Sequence, residues 1–433
     1  MTRYNQAFCI FILSLFSSVV SAQVIEEPSP STNSPYTRYG FGQLSDQSFG
    51  NGKAMGGIGY GLRNKSQINP TNPASYTAID SLTFLLEGGF SLQNTNFSEG
   101  NLKKNVQNAN FDYIAMQFRL HRRLAMSLGF LPFSNVGYNI ASGSKMSFGD
   151  REINVSEIYK GTGGINQAYM GVGFKILDGL SVGANISYLF GTIEHSSTML
   201  FTDPQSTQYN IQGSQKRNKV EINDYKLDFG LQYSQRFNKK HLATIGVVYS
   251  LKHNLNNDAS KNDEVLSYVS NGWYPISQSS TIIDNGFELP HMFGAGLTYN
   301  YNDKLTLGFD YTLQKWGEVK FFGEEGTLRD RSKYAFGGEY IPNSLSRNYL
   351  NKIRYRLGAY YSDPYINVKG EKGAYEYGVS AGFGLPIFRS LLNISGQYIR
   401  VKPKVNGMIE ENYLRINIGL TFNERWFAKW RVQ

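Results

Sequence analysis

The sequence predicts an all-β protein, a transmembrane antiparallel β-barrel of about 14 strands with an N-terminal plug or hatch. Three observations favour this fold. Only 18% of the 433 residues are charged, whereas Gly (45), Tyr (30) and Phe (28) are abundant, which is typical of sheets joined by turns. From about residue 82 onward, apolar side chains alternate with polar or small ones in repeated segments. The links between these segments alternate between short and long, as in outer-membrane barrels.

Residues 1–22 have the features of a secretory signal peptide. An early positive charge precedes an apolar run and a small-residue exit at Val20–Ala22, so cleavage is expected after Ala22. Cys9 is the one cysteine of the sequence and lies in this leader. The mature chain is therefore expected to have no disulfide and no thiol chemistry.

Residues 23–80 do not alternate and are predicted to fold inside the barrel as the plug or hatch. The lumen of a fourteen-strand barrel is too wide to be filled by wall side chains alone, so this segment has a space to occupy. Its Gly57-x-Gly59-x-Gly61 run lacks the spacing of a nucleotide-binding fingerprint, and no βαβ unit follows it. The barrel is expected over residues 81–422, and residues 423–433 are expected to form a periplasmic tail.

The period-two alternation defines the strands. In the segment 305–315, for example, Leu307 and Phe309 alternate with Gly308 and Asp310. About ten residues suffice for a tilted strand to cross the hydrocarbon layer, so a multi-pass barrel in the cell outer membrane is expected. A soluble β-sandwich is the alternative, but the second face is too polar for a packed core. The fourteen segments are residues 82–92, 111–120, 124–133, 166–177, 180–190, 225–237, 241–252, 292–301, 305–315, 333–341, 353–362, 375–386, 391–401 and 412–422.

The links between segments predict which side of the membrane each faces. Short polar turns such as His121-Arg122-Arg123 are expected in the periplasm, and long loops are expected outside. The link 342–352 is longer than its periplasmic position predicts. The expected outer loops are residues 93–110, 134–165, 191–224, 253–291 and 316–332.

Two motifs before the first strand carry a family resemblance. Ala54-Met55-Gly56-Gly57, and then Asn72-Pro73-Ala74, followed by about fourteen strands, resemble the FadL-type family of outer-membrane transporters for hydrophobic compounds. The segments 34–40 and 423–427 resemble a divergent branch of that family. The resemblance implies that the N-terminal segment is a hatch and that the substrates are apolar molecules such as long-chain fatty acids. It also implies lateral exit through a break in the third strand.

The predicted hatch or gate residues are Asn69, Asn72, Pro73 and Ala74, of which the resemblance places Asn72-Pro73-Ala74 within the hatch. Asn side chains mimic backbone turns, so Asn69 and Asn72 are expected to hold the hatch against inward-facing wall groups. The alternative is that Asn72-Pro73-Ala74 forms a plain turn that enters the barrel.

Pro132 marks the expected lateral opening. It lies at the end of the third apolar run, and proline cannot donate a hydrogen bond to a strand ladder. A kink there would open a gap between strands. The alternative is that Pro132 merely ends the strand at the outer rim.

No pattern in the sequence indicates catalysis, a cofactor or a metal site. The five histidines are scattered, lack zinc-ligand spacing and have no cysteine partners in the mature chain. No Gly-x-Ser-x-Gly elbow is present. We therefore expect no enzyme activity, although separate strands could in principle assemble an active site.

Inward-facing charges of both signs have two interpretations. One is internal ion pairs that brace the wall and hold the plug. The other is a cationic spot of Arg354, Arg356 and Arg415 that contacts the carboxylate of a fatty acid, since arginine suits bidentate carboxylate contacts.

Two functions follow as hypotheses. The first is passive, diffusive uptake of hydrophobic small molecules with lateral exit. The alternative is a non-transporting barrel subunit of an outer-membrane assembly or secretion complex. The expected partners are outer-membrane lipid, a hydrophobic small molecule and possible envelope proteins. Nucleic acid is not expected, because the excess of basic residues lies in turns of an exported chain.

Overall fold

The structure is a computed structural model that describes residues 31–81, 83–148, 151–202, 212–269, 272–283, 286–368, 370–404 and 407–425. The predicted signal peptide and residues 426–433 of the predicted tail lie outside these ranges.

Fourteen antiparallel strands form a closed barrel, as the sequence predicts. Each strand pairs with the next one in the chain, and the last strand pairs with the first. The strands are β1 Thr83–Glu99, β2 Leu102–His121, β3 Leu124–Phe148, β4 Arg151–Leu177, β5 Leu180–Thr202, β6 Gln212–Arg236, β7 His241–Ser250, β8 Met292–Tyr301, β9 Leu305–Gln314, β10 Arg331–Tyr340, β11 Arg354–Ser362, β12 Tyr375–Ile387, β13 Ser390–Lys402 and β14 Glu410–Arg425.

The alternation places apolar side chains on the outside and polar ones in the lumen. On β9, Leu307 and Phe309 are exposed on the outer surface, whereas Asp310 is buried inside. Exposed apolar side chains are stable here because their solvent is hydrocarbon. This outer face places the protein in the cell outer membrane as a multi-pass β-barrel. No helix among the described residues is both long and apolar enough to span a membrane.

Several connections predicted as outer loops are instead continuous sheet, so that part of the prediction is wrong. β4 has 27 residues and β6 has 25, and both extend well beyond the predicted membrane-spanning parts. A hairpin of Asn257–Val269 and Gly272–Ile283 adds to β6 outside the membrane. These extensions lack apolar alternation because both faces meet polar surroundings, so the hydrogen-bonded ladder continues where the sequence pattern stops.

The N-terminal part of the described chain, Ser31–Ile79, packs inside the barrel and is called the luminal segment below. It contains 3-10 helices at Pro35–Arg38 and Pro73–Ala78, a short strand at Gln43–Leu44 and helix α1 at Gly50–Ala54. It contacts inward-facing groups from strands on opposite sides of the barrel. Glycines of the wall let the backbone of the luminal segment come close to the strands. The backbone of Tyr60 packs against Gly246 of β7, and the backbone of Met55 packs against Gly358 of β11.

His195 makes the stability of the sheet outside the membrane depend on pH. We call the parts of β4 and β5 beyond the predicted membrane-spanning segments the outer extension. His195 lies on β5, beyond the predicted membrane-spanning part, and its Nδ1 is 2.9 Å from the hydroxyl oxygen of Tyr138. Burial, together with the nearby positive charge of Arg38, lowers the pKa of His195 to about 4. The unfolded chain therefore binds a proton near pH 6.5 that the folded chain excludes, so stability falls as the pH drops from about 6.5 to about 4.

Between pH 7 and pH 4 we expect the outer extension of the wild type to lose about 3 kcal/mol of local stability. A His195→Gln variant should not show this loss. Hydrogen exchange of β4 and β5 at the two pH values measures this difference. His121→Gln, at the exposed periplasmic end of β2, is the matched control and should behave like the wild type. Equal pH sensitivity in the wild type and His195→Gln would contradict the assignment.

Candidate functional site: lumen, lateral gap and outer mouth

Buried carboxylates of the wall hold the luminal segment in place. Asp310 accepts hydrogen bonds from the backbone N–H groups of Gly59 (2.6 Å) and Tyr60 (2.9 Å). Glu87 accepts one from the backbone N–H of Ile68 at 3.1 Å. These bonds satisfy backbone donors of a segment with little secondary structure of its own, which is necessary in a water-poor interior.

Ion pairs complete the bracing of the wall and the luminal segment. Lys53 Nζ lies 3.0 Å from Asp112 Oδ2, with both side chains nearly buried. Lys226 and Asp228 pair within the wall. The predicted internal ion pairs are therefore present.

The predicted hatch residues lie in the middle of the luminal segment. Asn72 is fully buried and caps the helix Pro73–Ala78 by accepting a hydrogen bond from the N–H of Ala74. Its Nδ2 also donates to the backbone oxygen of Leu231 in the wall, at 3.3 Å. Asn69 instead donates to the carbonyls of Gly59 and Leu62, within the luminal segment itself. The gating role of these residues stays a prediction.

The ladder between β2 and β3 covers only the periplasmic part of the two strands. Its outermost pair is Ile114 with Phe130, whereas β3 stays paired with β4 as far as Phe148. We call the space between residues 102–113 of β2 and 131–148 of β3 the lateral gap. Unpaired strand edges are unfavourable in a membrane barrel, so a gap of this kind needs something to cover it.

The luminal segment covers the lateral gap. Gln43 and Leu44 pair in antiparallel register with Asn135 and Ser134 of β3. The N–H of Ser45 continues the pairing by donating to the backbone oxygen of Phe133 at 3.0 Å. A short strand from the lumen thus takes the place that β2 leaves free along residues 133–135 of β3.

Pro132 lies on β3 beside this gap. The register between β3 and β4 shifts between Pro132 and Ser134, which marks a β-bulge. The backbone oxygen of Pro132 accepts a hydrogen bond from Gln47 Nε2 of the luminal segment at 3.1 Å. Pro132 therefore lies within a strand that continues beyond it, and its role in lateral opening stays a prediction.

An aromatic cluster closes the outer mouth of the barrel. Phe41 of the luminal segment is fully buried at its centre. The ring centroid of Phe41 lies 5.5 Å from that of Trp316 and 5.3 Å from that of Phe321. Phe287 lies at 6.2 Å, and the hydroxyl of Tyr365 donates to the backbone oxygen of the neighbouring Gly42. Outer connections on three parts of the barrel thus converge on two adjacent residues of the luminal segment, Phe41 and Gly42.

A cavity of about 380 Å³ lies between the luminal segment and the wall. It reaches the lateral gap, where Phe111 and Phe133 line it, but many of its lining groups are polar or charged. Burial alone would raise the pKa of Asp46 in this lining, but the positive charges of Lys333 and Lys53 hold it below its usual value. The described chain contains no cluster of three or more potential metal ligands.

The three arginines predicted to contact a carboxylate do not have equivalent surroundings. The Nε of Arg356 donates to Glu339 at 2.7 Å, and Arg354 lies 3.9 Å from the same carboxyl group. Arg415 donates to Oε1 of Gln93 and lines the cavity. Ligand contact stays a prediction for all three, and Arg415 is the one of the three that lines this cavity.

Sequence reasoning missed the residues that close the mouth and the gap. Phe41 and Gln43–Ser45 lie in a stretch without alternation, and nothing in it distinguishes them from the neighbouring Gly and polar residues. Their roles depend on partners that are distant in sequence.

A comparison with known families shows which family the chain belongs to. A family model described as BamG matches residues 5–433. The chain belongs to the BamG family. No curated protein matches it.

Solved structures similar to this BamG-family chain show the same barrel fold. A structure described as the CymD monoaromatic hydrocarbon channel is 16% identical, with a TM-score of 0.60, and the match covers 90% of this chain and 100% of the other. A Pseudomonas aeruginosa FadL homologue is 15% identical, with a TM-score of 0.58, covering 88% and 99%. The Ralstonia pickettii toluene transporter TbuX is 15% identical, with a TM-score of 0.55, covering 88% and 99%. The resemblance of the BamG-family chain to FadL-type barrels is confirmed at the level of the fold, and two of these neighbours are described as a channel and a transporter.

Proposed function

We propose that this BamG-family barrel passes hydrophobic small molecules by passive diffusion, with lateral exit through the gap between β2 and β3. One observation carries the proposal. A single short stretch, residues 41–45, closes both the outer mouth, through Phe41, and the lateral gap, through Gln43–Ser45. Movement of this stretch would therefore open the entrance and the exit together.

The chemistry of the mouth suits an apolar ligand. The rings around Phe41 would form an aromatic pocket if Phe41 withdrew, and an apolar molecule could replace its ring without loss of contact area. A ligand that binds only the withdrawn state shifts the population towards it, so the ligand itself would drive opening. Downhill binding then suffices as the driving force.

The proposed substrates are apolar for the same reason. The names of the similar structures refer to monoaromatic hydrocarbons and toluene, which are apolar. A long-chain fatty acid would add a carboxylate, and Arg415 in the cavity lining is the side chain placed to meet it. We therefore propose fatty-acid-like compounds as substrates, with Asn69, Asn72, Pro73 and Ala74 as the fixed base of the gate.

A disulfide tether tests the gate. Leu44→Cys and Ser134→Cys place cysteines at positions that are register partners, within the Cα separation that a disulfide bridges. Oxidation should hold residues 43–45 on β3 and reduce the uptake of labelled palmitate and of toluene to the level of cells without the barrel. Reduction should restore uptake.

A second tether provides the matched control. Asn300 of β8 and Thr306 of β9 are also register partners, and both strands belong to the fixed wall. A disulfide between Asn300→Cys and Thr306→Cys should leave uptake unchanged. If the gate variant takes up both compounds equally in its oxidised and reduced forms, at the level of cells without the barrel, the transport proposal is wrong.

A specific observation keeps the alternative function open. The cavity is polar, and the buried carboxylates Asp310 and Glu87 fix the luminal segment firmly to the wall. A barrel whose lumen is permanently filled would instead serve as a non-transporting subunit of an envelope assembly or secretion complex. In that case the oxidised gate variant would retain the phenotype of the wild type in every assay of envelope integrity.

A further inference from the structure

The outer surface of β9–β12 contains an apolar groove of about 640 Å³ in its periplasmic half. Small residues form its floor, because Gly338, Ala359 and Ala381 replace the large side chains of the surrounding wall. Leu357, which is 69% exposed, and Phe383, which is 50% exposed, stand along its sides. Its size is within the range of small-molecule sites, and it faces the lipid rather than the lumen.

A basic loop continues the groove on the periplasmic side. The link 341–353 is the one that is longer than a periplasmic turn, and it contains a 3-10 helix at Tyr349–Lys352. The hydroxyl of Tyr355, which lines the groove, donates to the backbone oxygen of Leu350 in this loop at 3.1 Å. The loop is therefore attached to the rim of the groove.

The charges of the loop have one sign. Arg347 and Lys352 are its basic residues, and it contains no Asp or Glu. Neither cation has an ion-pair partner among the described residues. Two exposed leucines, Leu345 (91%) and Leu350 (60%), accompany these cations at the membrane boundary.

We propose that the groove and the 341–353 loop together form a binding site for an anionic glycerophospholipid. An acyl chain lies over Gly338, Ala359 and Ala381, and the phosphate is bound by Arg347 and Lys352. Charge complementarity selects this occupant, because an apolar surface that ends in two uncompensated cations matches an acyl chain that ends in a phosphate. The site lies on the outside of the wall and does not depend on transport through the lumen.

Two variants separate the parts of the site. Arg347→Gln with Lys352→Gln removes the charges, and Ala381→Leu fills the groove on its exposed, lipid-facing side. The matched controls are Lys239→Gln with Lys240→Gln in another periplasmic turn, and Ala295→Leu on the lipid-facing side of β8. Retained circular dichroism of the β-sheet checks that each full-length barrel folds.

Native mass spectrometry of the delipidated barrel, titrated with phosphatidylglycerol and with phosphatidylethanolamine, measures binding. We expect the wild type to prefer phosphatidylglycerol, and the charge variant to bind it about 30-fold more weakly, or about fivefold per removed charge. The groove variant should weaken the binding of both lipids. Equal binding of both lipids by the wild type, or charge and groove variants that match their controls, would overturn the proposal.

A photo-crosslinker in place of Leu345 distinguishes the occupant in cells. A lipid-sized adduct on the full-length chain supports the site. A protein-sized adduct as the main product would show that the surface binds a protein instead, and would overturn the lipid assignment.

Discussion

Replacement of Gly246 or Gly358 by valine is expected to displace the luminal segment and convert a closed barrel into a conducting one. A Cβ on Gly246 would overlap the backbone oxygen of Tyr60, and a Cβ on Gly358 would overlap the backbone of Met55 and Gly56. Because backbone atoms cannot rotate away as a side chain can, we expect each substitution to cost more than about 3 kcal/mol of packing energy between wall and segment. The wall itself should persist, since valine is favourable in strands.

Ion conductance in planar bilayers measures this effect, and circular dichroism reports whether the sheet is intact. Gly396→Val is the matched control, because this glycine lies on β13 with open space around its Cβ position. It should leave conductance at the level of the wild type. A barrel that carries Gly246→Val, retains its sheet and stays closed would show that the luminal segment does not occlude the pore.

Replacement of Phe41 by alanine is expected to loosen the outer mouth by about 3–5 kcal/mol, the usual cost of removing a fully buried aromatic side chain. Phe41 contacts rings from separate outer connections, so its loss leaves a cavity that they cannot all fill together. Hydrogen exchange of residues 286–289 and 316–322 should become faster accordingly.

Toluene should partly reverse the effect of Phe41→Ala. An apolar cavity of this kind binds small aromatic molecules, and a ligand at 100 times its Kd restores about 2.7 kcal/mol. Phe309→Ala, on the lipid-facing side of β9, is the control and should leave exchange at the mouth unchanged. If hydrogen exchange at the mouth is the same in Phe41→Ala as in the wild type, the aromatic cluster does not need Phe41 to close the mouth. The proposal that residues 41–45 open the mouth and the lateral gap together would then be wrong.

The wall of the barrel could be predicted because its signal is local. On β9 the alternation of Leu307 and Phe309 with Gly308 and Asp310 reflects the two faces of a single strand, so each residue reports its own environment. Alternation did not predict the parts of β4 and β6 outside the membrane. Both faces of the sheet meet polar surroundings there, so the sequence shows no two-residue alternation of apolar side chains. Pairing alone sustains the strands there, and pairing depends on a partner strand rather than on the residues of the strand itself.

The candidate site could be predicted only in part. The hatch residues around Asn72 came from a motif, and Asn72 does cap the helix Pro73–Ala78 while reaching the wall. Arg354, Arg356 and Arg415 shared a luminal face by alternation, but the structure gives them different partners, because Glu339 lies beside the first two and Gln93 beside the third. Alternation gives the face of a side chain but does not identify the group across the lumen that it meets.

The amino-acid sequence by itself determined that this chain is a fourteen-strand outer-membrane barrel, because a two-residue period and strand length are properties of consecutive residues in lipid. The tertiary structure alone decided that residues 41–45 close both the mouth and the lateral gap. These closures join residues that are far apart along the chain, such as Phe41 with Trp316 and Gln43 with Asn135. Such contacts arise only when the wall has closed around the luminal segment, so no pattern of neighbouring residues encodes them.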